Sequence, residues 1–354
     1  MSVVRFDHDS LPQRVRFAAG AAADNLAAEI KSLGASRIMI ISGEAERGLA
    51  QQVAAGLPVV CWHHEVAMHV PVEVAERARA EAARCQADAL VCVGGGSTTG
   101  LAKAVALTTG LPIVAVPTTY AGSEATNVWG LTQDGRKTTG VDDRVLPRAV
   151  IYDASLTLGL PVEMSVASGL NALAHCVDSM WAPRADPINR ALAAEGIRAL
   201  RIGLPLVHDD PTGVPGREHA LYGAYLSAVA FASAGSGLHH KICHVLGGMF
   251  DLPHAQTHAV VLPYVLAGNA PYAPEAAQRI AAAFDAGTAG EGLRLLRARL
   301  DAPRALRDYG MPESGIAEAA PAVVAAAPAD NPAPITLDTI TSLLRAAWEG
   351  ADPR

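Results

Sequence analysis

Residues 87–119 read ADALVCVGGGSTTGLAKAVALTTGLPIVAVPTT. An unbroken apolar run leads into three glycines, a helical segment follows, and a second apolar run ends at two threonines. Continuous apolar strands are typical of parallel sheets, whose strands are covered by helices on both faces. The stretch therefore predicts a β-α-β unit of a parallel sheet.

The segments before this stretch continue the alternation of strand and helix. SRIMIISG predicts a buried strand, and AAADNLAAEIKSLG predicts an amphipathic helix that ends at Gly34. After about Asp153 the pattern changes to long helical periodicities rich in alanine and leucine. We predict an α/β N-terminal domain with a Rossmann-like parallel sheet, residues 1–155, followed by an all-α C-terminal domain, residues 156–354.

The composition argues against several classes of function. Among 354 residues, 50% are hydrophobic and 18% are charged, as in an ordinary globular protein. A net charge of −7 without a basic run argues against nucleic acid as a partner. No apolar stretch reaches the roughly 20 residues that a membrane span needs, and the N-terminus lacks an apolar signal core. Five scattered cysteines without a CxxC pair favour a reduced, cytoplasmic protein.

The glycine turn predicts a place for a phosphate group. Glycines allow the backbone to approach a ligand closely, and the N-terminus of the following helix offers free N–H groups. Ser97 is expected to cap that helix. A tight turn between strand and helix without any ligand explains the glycines equally well. The hydroxyl-rich segment VPTTYAGSEATN, residues 116–127, suits a second wall of a nucleotide site.

A histidine-rich segment lies in the second half of the chain. GLHHKICHVLGGMFDLPHAQTHAVVLP, from Gly237 to Pro263, holds five of the twelve histidines. His240 and His244 are four residues apart and share one face of a helix, and His254 follows a Gly-Gly break. With His175 upstream, in SGLNALAHCVDSM, these spacings predict one shared functional site. We interpret His8, His63, His64, His69, His208 and His219 as ordinary core or surface residues.

Several motifs together resemble the iron-containing alcohol dehydrogenase superfamily, which shares its fold with dehydroquinate synthase. They are GGGS followed by AK, PTT with GSE, the helix with ALAH, and HxxxHxLG followed by PH. Longer motifs, such as GGGSTTGLAKA, VPTTYAGSEATNVWGLT and LPHAQTHAVVLPY, resemble the maleylacetate reductase family more closely. The resemblance covers nearly the whole chain. It implies a dinucleotide domain, an all-helical domain and a site in the cleft between them.

The resemblance also implies roles for individual residues. Metal-binding members use an Asp and three His, at the positions of Asn171, His175, His240 and His254, and His244 lines the cleft. An amide at position 171 is a poorer ligand for a divalent cation than a carboxylate. Gly100 likewise replaces an Asp of the family motif. Both departures resemble the maleylacetate reductases, which work without a required metal, so no metal ligand is assigned.

The expected cofactor is NADH, with NADPH possible. The strand end ISGE places Gly43 where relatives often carry an Asp for the adenosine ribose, so no carboxylate there would repel a 2′-phosphate. The predicted cofactor-binding residues are Gly94, Gly95, Gly96, Ser97, Thr118, Thr119, Lys103 and Lys137. The predicted substrate-binding residues are Lys241, Tyr120, Ser123 and Asn171, and the predicted catalytic residues are His244, His254, His175 and His240.

The resemblance implies NAD(P)H-dependent reduction of the C=C bond of maleylacetate to 3-oxoadipate in the degradation of aromatic compounds, by a homodimer. The alternative is a metal-dependent alcohol dehydrogenase or aldehyde reductase of the same superfamily. A non-catalytic nucleotide- or metal-binding protein is a third possibility, but it leaves the histidines unexplained. A lyase of the dehydroquinate synthase type needs an intact metal site and several lysines that this chain lacks.

Overall fold

The computed structural model describes residues 4–133 and 136–353, and for residues 136 and 137 it describes the backbone only. The chain divides into two compact units. One is Leu11–Leu160, called here the α/β unit. The other, the helical unit, begins at Pro161 and also includes the N-terminal residues up to Ser10. In the helical unit, His8 Nδ1 lies 2.8 Å from Asp186 Oδ2 and 3.2 Å from Ser233 Oγ, which attaches the N-terminal residues there.

As far as the structure describes it, the α/β unit contains a six-stranded sheet, a separate two-stranded hairpin and four α-helices. The strands are β1 (Arg14–Phe17), β2 (Ile38–Ser42), β3 (Val59–His63), β4 (Ala89–Gly94), β5 (Ile113–Pro117), β6 (Val128–Gln133), β7 (Arg136–Val141) and β8 (Ala149–Tyr152). The helices are α1 (Ala22–Leu33), α2 (Arg47–Val53), α3 (Val72–Arg84) and α4 (Gly96–Thr109). The larger sheet is parallel throughout, in the order β1-β8-β5-β4-β2-β3. This confirms the predicted α/β architecture.

Strand β4 shows why the central strands are apolar without a break. Leu90 and Cys92 face a core formed with α3 and α4, whereas Val91 and Val93 face a second core formed with α1 and α2. Successive side chains of a strand point to opposite faces, so a strand between two helical layers must be apolar at every position. The unbroken apolar run of this stretch thus has the cause that was predicted, which is cover by helices on both faces of the sheet.

The order of the strands creates a crevice at the carboxyl ends of two neighbouring central strands. β2 and β4 are neighbours, but the chain continues from β2 to β3 on one side and from β4 to β5 on the other. In open parallel sheets, ligands bind beyond the carboxyl ends of the two strands at such a reversal. Ser42, the last residue of β2, pairs in register with Val93 of β4. The glycine turn after β4 therefore borders this crevice.

The hairpin of β6 and β7 was not predicted. The two strands are antiparallel, with Val128 opposite Val141. Five of the six residues of β6 are half-buried, so no continuous apolar run marked the strand in the sequence.

The helical unit consists of nine α-helices in the part of the chain that the structure describes, with no β-strand there. They are α5 (Val162–Ser179), α6 (Pro187–Asp209), α7 (Val214–Ala234), α8 (Leu238–Phe250), α9 (His254–Asn269), α10 (Pro274–Phe284), α11 (Ala289–Arg299), α12 (Gly315–Ala326) and α13 (Leu337–Glu349). Apolar side chains of α8, α9, α12 and α13 form one core. The all-α prediction for this half is confirmed. Among the described residues, no helix has the length and apolar character needed to cross a bilayer.

Candidate functional site

Three helices of the helical unit bring six imidazole rings together. They are His175 on α5, His239, His240 and His244 on α8, and His254 and His258 on α9. The ring centroid of His240 is 4.8 Å from that of His175, 4.9 Å from that of His258 and 6.2 Å from that of His244. The ring of His254 lies 4.3 Å from that of His258. All four histidines of the predicted site therefore belong to one group, the histidine cluster.

Two members of the cluster, His239 and His258, were missed in the sequence. His258 lies four residues after His254, so it shares a helical face with a residue that was predicted. His239 adjoins His240 and faces another direction, yet its Nε2 lies 2.9 Å from His258 Nδ1. Only the packing of α8 against α9 brings these two rings together. The four-residue spacing of His254 and His258 was the available signal.

A buried carboxylate orients His240. Oδ2 of Asp178, on α5, lies 2.7 Å from His240 Nδ1 and accepts a hydrogen bond from the Gly237 backbone N–H at 2.8 Å. A Cβ on Gly237 would collide with this carboxylate, so the glycine makes room for it. When Asp178 is ionised, Oδ2 can only accept, so the proton of neutral His240 is on Nδ1 and Nε2 is the lone-pair nitrogen. The sequence analysis did not assign Asp178 a role, although it lies three residues after His175.

Burial keeps the inner imidazoles neutral. Burial, aided by the charge of His244, lowers the pKa of His175 to about 4, and burial lowers the pKa of His239 to about 3. The pKa values of His240 and His258 lie well below the ordinary value for the same main reason. Burial raises the pKa of Asp178 to about 7, against the opposing hydrogen bonds from the start of α8. The interior of the cluster therefore offers hydrogen bonds without a net positive charge.

Several polar atoms of the cluster and of the neighbouring Asn171 have no hydrogen-bond partner among the described residues. Each belongs to a buried side chain, and they include Asn171 Oδ1, His175 Nδ1, His240 Nε2 and His258 Nε2. Buried polar atoms in native proteins are nearly always paired, and exceptions concentrate at sites that bind something. Phe231 of α7 lies against the rings of His175 and His240, at 4.8 Å and 4.4 Å between centroids. Asn171, predicted to bind substrate, thus has a buried amide oxygen with an unused acceptor.

Lys241 lies on α8 beside the cluster. It is half-buried, and within the described ranges its ammonium forms no hydrogen bond or ion pair. It lies close enough to Asp178 to lower the pKa of that carboxyl. A cation in this position suits the predicted role as a partner for a substrate carboxylate.

In the α/β unit, the glycine turn is built around two threonines. A Cβ on Gly95 would lie 2.9 Å from Thr119 Cγ2, and one on Gly94 would collide with the side chain of Thr98. The backbone N–H of Thr118 donates to the Gly94 carbonyl at 3.1 Å, which ties the end of β5 to the turn. Of the predicted cofactor residues, Gly94, Gly95, Thr118 and Thr119 are therefore brought together.

The helix after the glycine turn starts without a side-chain cap. Helix α4 begins at Gly96, its N-cap is Gly95, and no side chain accepts a hydrogen bond there. The predicted capping role of Ser97 was wrong, because Ser97 lies one residue inside the helix. The first N–H groups of a helix lack intrahelical partners, so those of α4 are left for a ligand. This arrangement suits a phosphate better than a capped helix would.

The structure corrects the prediction for Lys103. Its side chain is completely buried in α4, and its ammonium donates to the carbonyls of Ser123, Thr126 and Val128 at 2.6, 2.8 and 2.8 Å. Burial lowers its pKa to about 7, and the nearby Glu124 opposes that change. The ammonium thus ties α4 to the segment before β6 instead of contacting a cofactor.

Two further predicted substrate residues lie in the same segment, and one cofactor residue cannot be placed. Tyr120 is completely buried, and Ser123 is half-buried in a short 3₁₀ turn. The side chain of Lys137, in β7, lies outside the described residues. The roles of these three residues stay predictions.

We expect Lys103→Met to destabilise the protein by about 3–5 kcal/mol, because three buried carbonyls lose their donor. A loss of this size lowers the melting temperature by roughly 10 °C for a domain of this size. Thermal unfolding followed by circular dichroism measures it, with Lys31→Met, on the exposed end of α1, as the control. An unchanged melting temperature with a raised KM for the cofactor would instead restore the predicted cofactor contact.

The matches to family models cover both units. The model "Iron-containing alcohol dehydrogenase" matches residues 12–154, and "Fe-containing alcohol dehydrogenase family, C-terminal" matches residues 165–348. The chain belongs to the iron-containing alcohol dehydrogenase family. It is accordingly an enzyme, and its fold is that of the family.

Individual relatives of this family member carry more specific names. It is 48% identical over 352 residues to a maleylacetate reductase of Sphingobium indicum, covering 99% of each chain. Among solved structures, it matches maleylacetate reductase from Agrobacterium tumefaciens at 44% identity and a TM-score of 0.94, covering 99% of this chain and 100% of the other. It also matches an iron-containing alcohol dehydrogenase from Corynebacterium glutamicum at 62% identity and a TM-score of 0.98, covering 99% of each.

The family name implies a metal, which needs several ligand atoms around one point. Position 171 carries an amide, and the rings of His175 and His240 stack at an interplanar angle of 12°. Within the described ranges, three His, Cys or carboxylate ligand atoms lie within 4.8 Å of one another only at His239, Cys243 and His258. These residues do not include the family's metal positions. As arranged in this structure, the described residues at the family's metal positions do not bring three such ligand atoms within that distance.

The group of His239, Cys243 and His258 is better explained by its own hydrogen bonds. His239 Nε2 and His258 Nδ1 share a hydrogen bond of 2.9 Å, and Cys243 Sγ lies 3.7 Å from His239 Nε2. Burial raises the pKa of the Cys243 thiol well above its usual value, which disfavours the thiolate that binds metals. These side chains thus support the packing of α8 against α9.

Proposed function

We propose that this enzyme reduces the carbon–carbon double bond of maleylacetate to 3-oxoadipate, with NADH as hydride donor, NADPH as a possible substitute and no required metal. The observation that carries the proposal is a cluster of neutral imidazoles in which Asn171 replaces the metal-binding carboxylate. The relatives named maleylacetate reductase, at 44–48% identity over nearly the whole chain, support the choice of substrate.

The chemistry requires a hydride, an oxyanion partner and a proton. The hydride of the nicotinamide is added to the substrate carbon β to the ketone. The π electrons then form an enolate at the ketone oxygen, and one proton is added to the α-carbon. Hydrogen-bond donors aimed at a developing oxyanion typically contribute about 3–4 kcal/mol each in a dry site. Neutral imidazole N–H groups are such donors.

Burial separates the roles of the histidines. His175 and His240 are neutral near pH 7, and the buried Nε2 of His240 has no hydrogen-bond partner among the described residues, so these two residues are assigned to binding or orienting substrate. The proton for the α-carbon then comes from His244 or His254, at the less buried edge of the cluster.

The two substrate carboxylates need positive or donating partners. Lys241 follows His240 in the chain, and its ammonium has no hydrogen-bond or ion-pair partner among the described residues. The amide of Asn171 adds an N–H₂ donor as well as its acceptor oxygen. Tyr120 and Ser123 remain candidates for the second carboxylate.

The pyrophosphate of the cofactor suits the start of α4. Its uncapped N–H groups and its dipole both favour an anion, and Gly95, Gly96 and Ser97 supply the backbone. Thr118 and Thr119, which follow β5 at the same edge of the sheet, are assigned to the nicotinamide side.

The metal-free proposal predicts that reduction of maleylacetate survives exhaustive chelation, because imidazoles and not a cation stabilise the enolate. Oxidation of NADH is followed by absorbance before and after dialysis against a chelator, with the metal content measured alongside. Activity that vanishes and returns only with added Zn²⁺ or Fe²⁺ would contradict the proposal.

A metal-dependent alcohol dehydrogenase is the second candidate, favoured by the name of the 62% identical structure from Corynebacterium glutamicum. The chelation experiment separates the two when it includes Asn171→Asp, which restores the carboxylate of the metal-binding members. The second candidate requires the unaltered chain to oxidise small alcohols with bound metal. Our proposal requires that the unaltered chain does not oxidise small alcohols with bound metal.

We also propose that the enzyme acts in the cytoplasm as a homodimer. Light scattering coupled to gel filtration measures the mass directly, and a monomer of 36.6 kDa would exclude the dimer.

A further inference from the structure

The adenosine end of the cofactor site carries a feature that the sequence does not reveal. Gly43, directly after β2, lacks the carboxylate with which dinucleotide folds commonly bind the adenosine ribose. In the structure, a Cβ on Gly43 would lie 2.5 Å from Oε2 of Glu46 and 3.7 Å from its Cδ. The Glu46 carboxylate therefore occupies the space over the end of β2 that a side chain at position 43 would fill.

We propose that Glu46 binds the 2′-hydroxyl of the adenosine ribose and makes the enzyme prefer NADH to NADPH. This inference rests on the proposed nicotinamide dinucleotide cofactor. It adds a residue that determines specificity, at a position where the sequence indicated no carboxylate.

The location of Glu46 fits the path of a dinucleotide. Ser42 pairs with Val93, so Gly43 is level with Gly94, the first glycine of the turn, on the adjacent strand. Neighbouring strands are about 4.8 Å apart. The adenosine ribose is joined to the pyrophosphate by its 5′ carbon, so a phosphate at the glycine turn places the ribose beside β2. The strand order reverses between β2 and β4, which is where such ligands bind in open sheets.

The local hydrogen bonds leave the Glu46 carboxylate available. Glu46 is half-buried, and its backbone N–H donates to the Gly43 carbonyl at 3.2 Å, which holds the turn. No described residue forms a hydrogen bond or ion pair with its carboxylate. Such a carboxylate accepts hydrogen bonds from ribose hydroxyls, whereas a 2′-phosphate brings a second negative charge against it.

The neighbouring arginine does not reverse this preference. Arginines near this position accommodate the 2′-phosphate in NADPH-binding folds. Arg47 is exposed, and its Nη2 pairs with Glu44 Oε2 at 2.7 Å. The guanidinium of Arg47 thus forms an ion pair with Glu44 and not with Glu46.

The test measures binding of each dinucleotide directly. The dissociation constants of NADH and NADPH are determined by fluorescence titration for the unaltered protein, Glu46→Gln, Glu46→Ala and the control Glu73→Gln, an exposed carboxylate at the start of α3. We expect the unaltered protein to bind NADH more tightly. Both Glu46 variants should shift the NADH-to-NADPH preference by about tenfold or more toward NADPH. Glu46→Gln should keep more of the NADH affinity than Glu46→Ala, and Glu73→Gln should change neither constant.

Two outcomes overturn the proposal, and they are distinguishable from a failure of the proposed function. If the unaltered protein reduces maleylacetate with NADH but Glu46→Gln keeps the same preference, Glu46 is not the determinant and the function stands. If the unaltered protein prefers NADPH, the assignment of Glu46 fails in the same way. If it binds neither dinucleotide, the proposed function fails together with this inference.

Discussion

Replacing His254 by Ala is expected to lower kcat for maleylacetate by roughly two to four orders of magnitude. His254 begins α9 at the exposed edge of the histidine cluster, whereas burial keeps His175 and His240 neutral. A group that delivers a proton must exchange it with solvent, which the outer imidazoles can do. Steady-state and single-turnover rates of NADH oxidation measure the effect on the chemical step.

Variants of the outer histidines distinguish proton donation from hydrogen bonding. His254→Gln keeps a hydrogen-bond donor but cannot give up a proton near neutral pH, so it should stay slow if His254 is the acid. The same pair of substitutions at His244 assigns the role between the two residues. His208→Ala, in α6 and paired with Asp209, is the matched control and should retain full activity. An unchanged kcat in His254→Ala would remove His254 from the chemistry.

Replacing Asp178 by Asn is the second change with a large expected effect, a loss of kcat of roughly two to three orders of magnitude. Oδ2 of ionised Asp178 accepts from His240 Nδ1 and so holds His240 in the tautomer with the proton on Nδ1. An amide in its place can turn its NH₂ group toward Nδ1 and force the opposite tautomer. The buried Nε2 of His240 would then present a proton where the native ring presents a lone pair.

Asp178 is a positioning residue, so its test needs a measurement that a purely structural role would not change. We expect kcat to fall far more than the melting temperature suggests, and KM for NADH to stay the same because the carboxylate lies in the helical unit. Asp178→Glu, which keeps the acceptor, should recover part of kcat if its longer side chain is accommodated. Asp209→Asn, at an exposed ion pair with Arg299, is the control. A kcat that falls only in proportion to the unfolded fraction would contradict the orienting role.

Much of the fold followed from local sequence pattern. The buried strands β2, β4 and β5 were predictable because a strand covered on both faces must be apolar at each position, and this leaves a signal in the chain itself. Helix ends at glycine were also predictable, because glycine readily adopts the left-handed conformation that often ends a helix. Gly34 does so, with φ of 67°. The hairpin of β6 and β7 was missed because half-buried strands lack such a run.

Helical spacing in the sequence predicted part of the site. The four-residue spacing of His240 and His244, and the position of His254 at the start of the next helix, follow from helical geometry. The sequence does not show that His239 contacts His258, because that contact depends on the packing of α8 against α9. The ammonium of Lys103 could equally have faced a ligand. Its burial against three carbonyls depends on the path of the segment before β6.

The sequence by itself determined the alternation of the buried strands with helices, the two-part organisation, the glycine turn and the replacement of a carboxylate by Asn171. These are properties of periodicity and residue type, which each segment carries locally. Tertiary structure alone decided that Asp178 orients His240, that burial keeps the inner imidazoles neutral, and that the Glu46 carboxylate lies over Gly43. Each of these depends on the distance between groups from different elements or across a turn, and on how much solvent is excluded around them. Desolvation and directed hydrogen bonds arise only when the segments have packed.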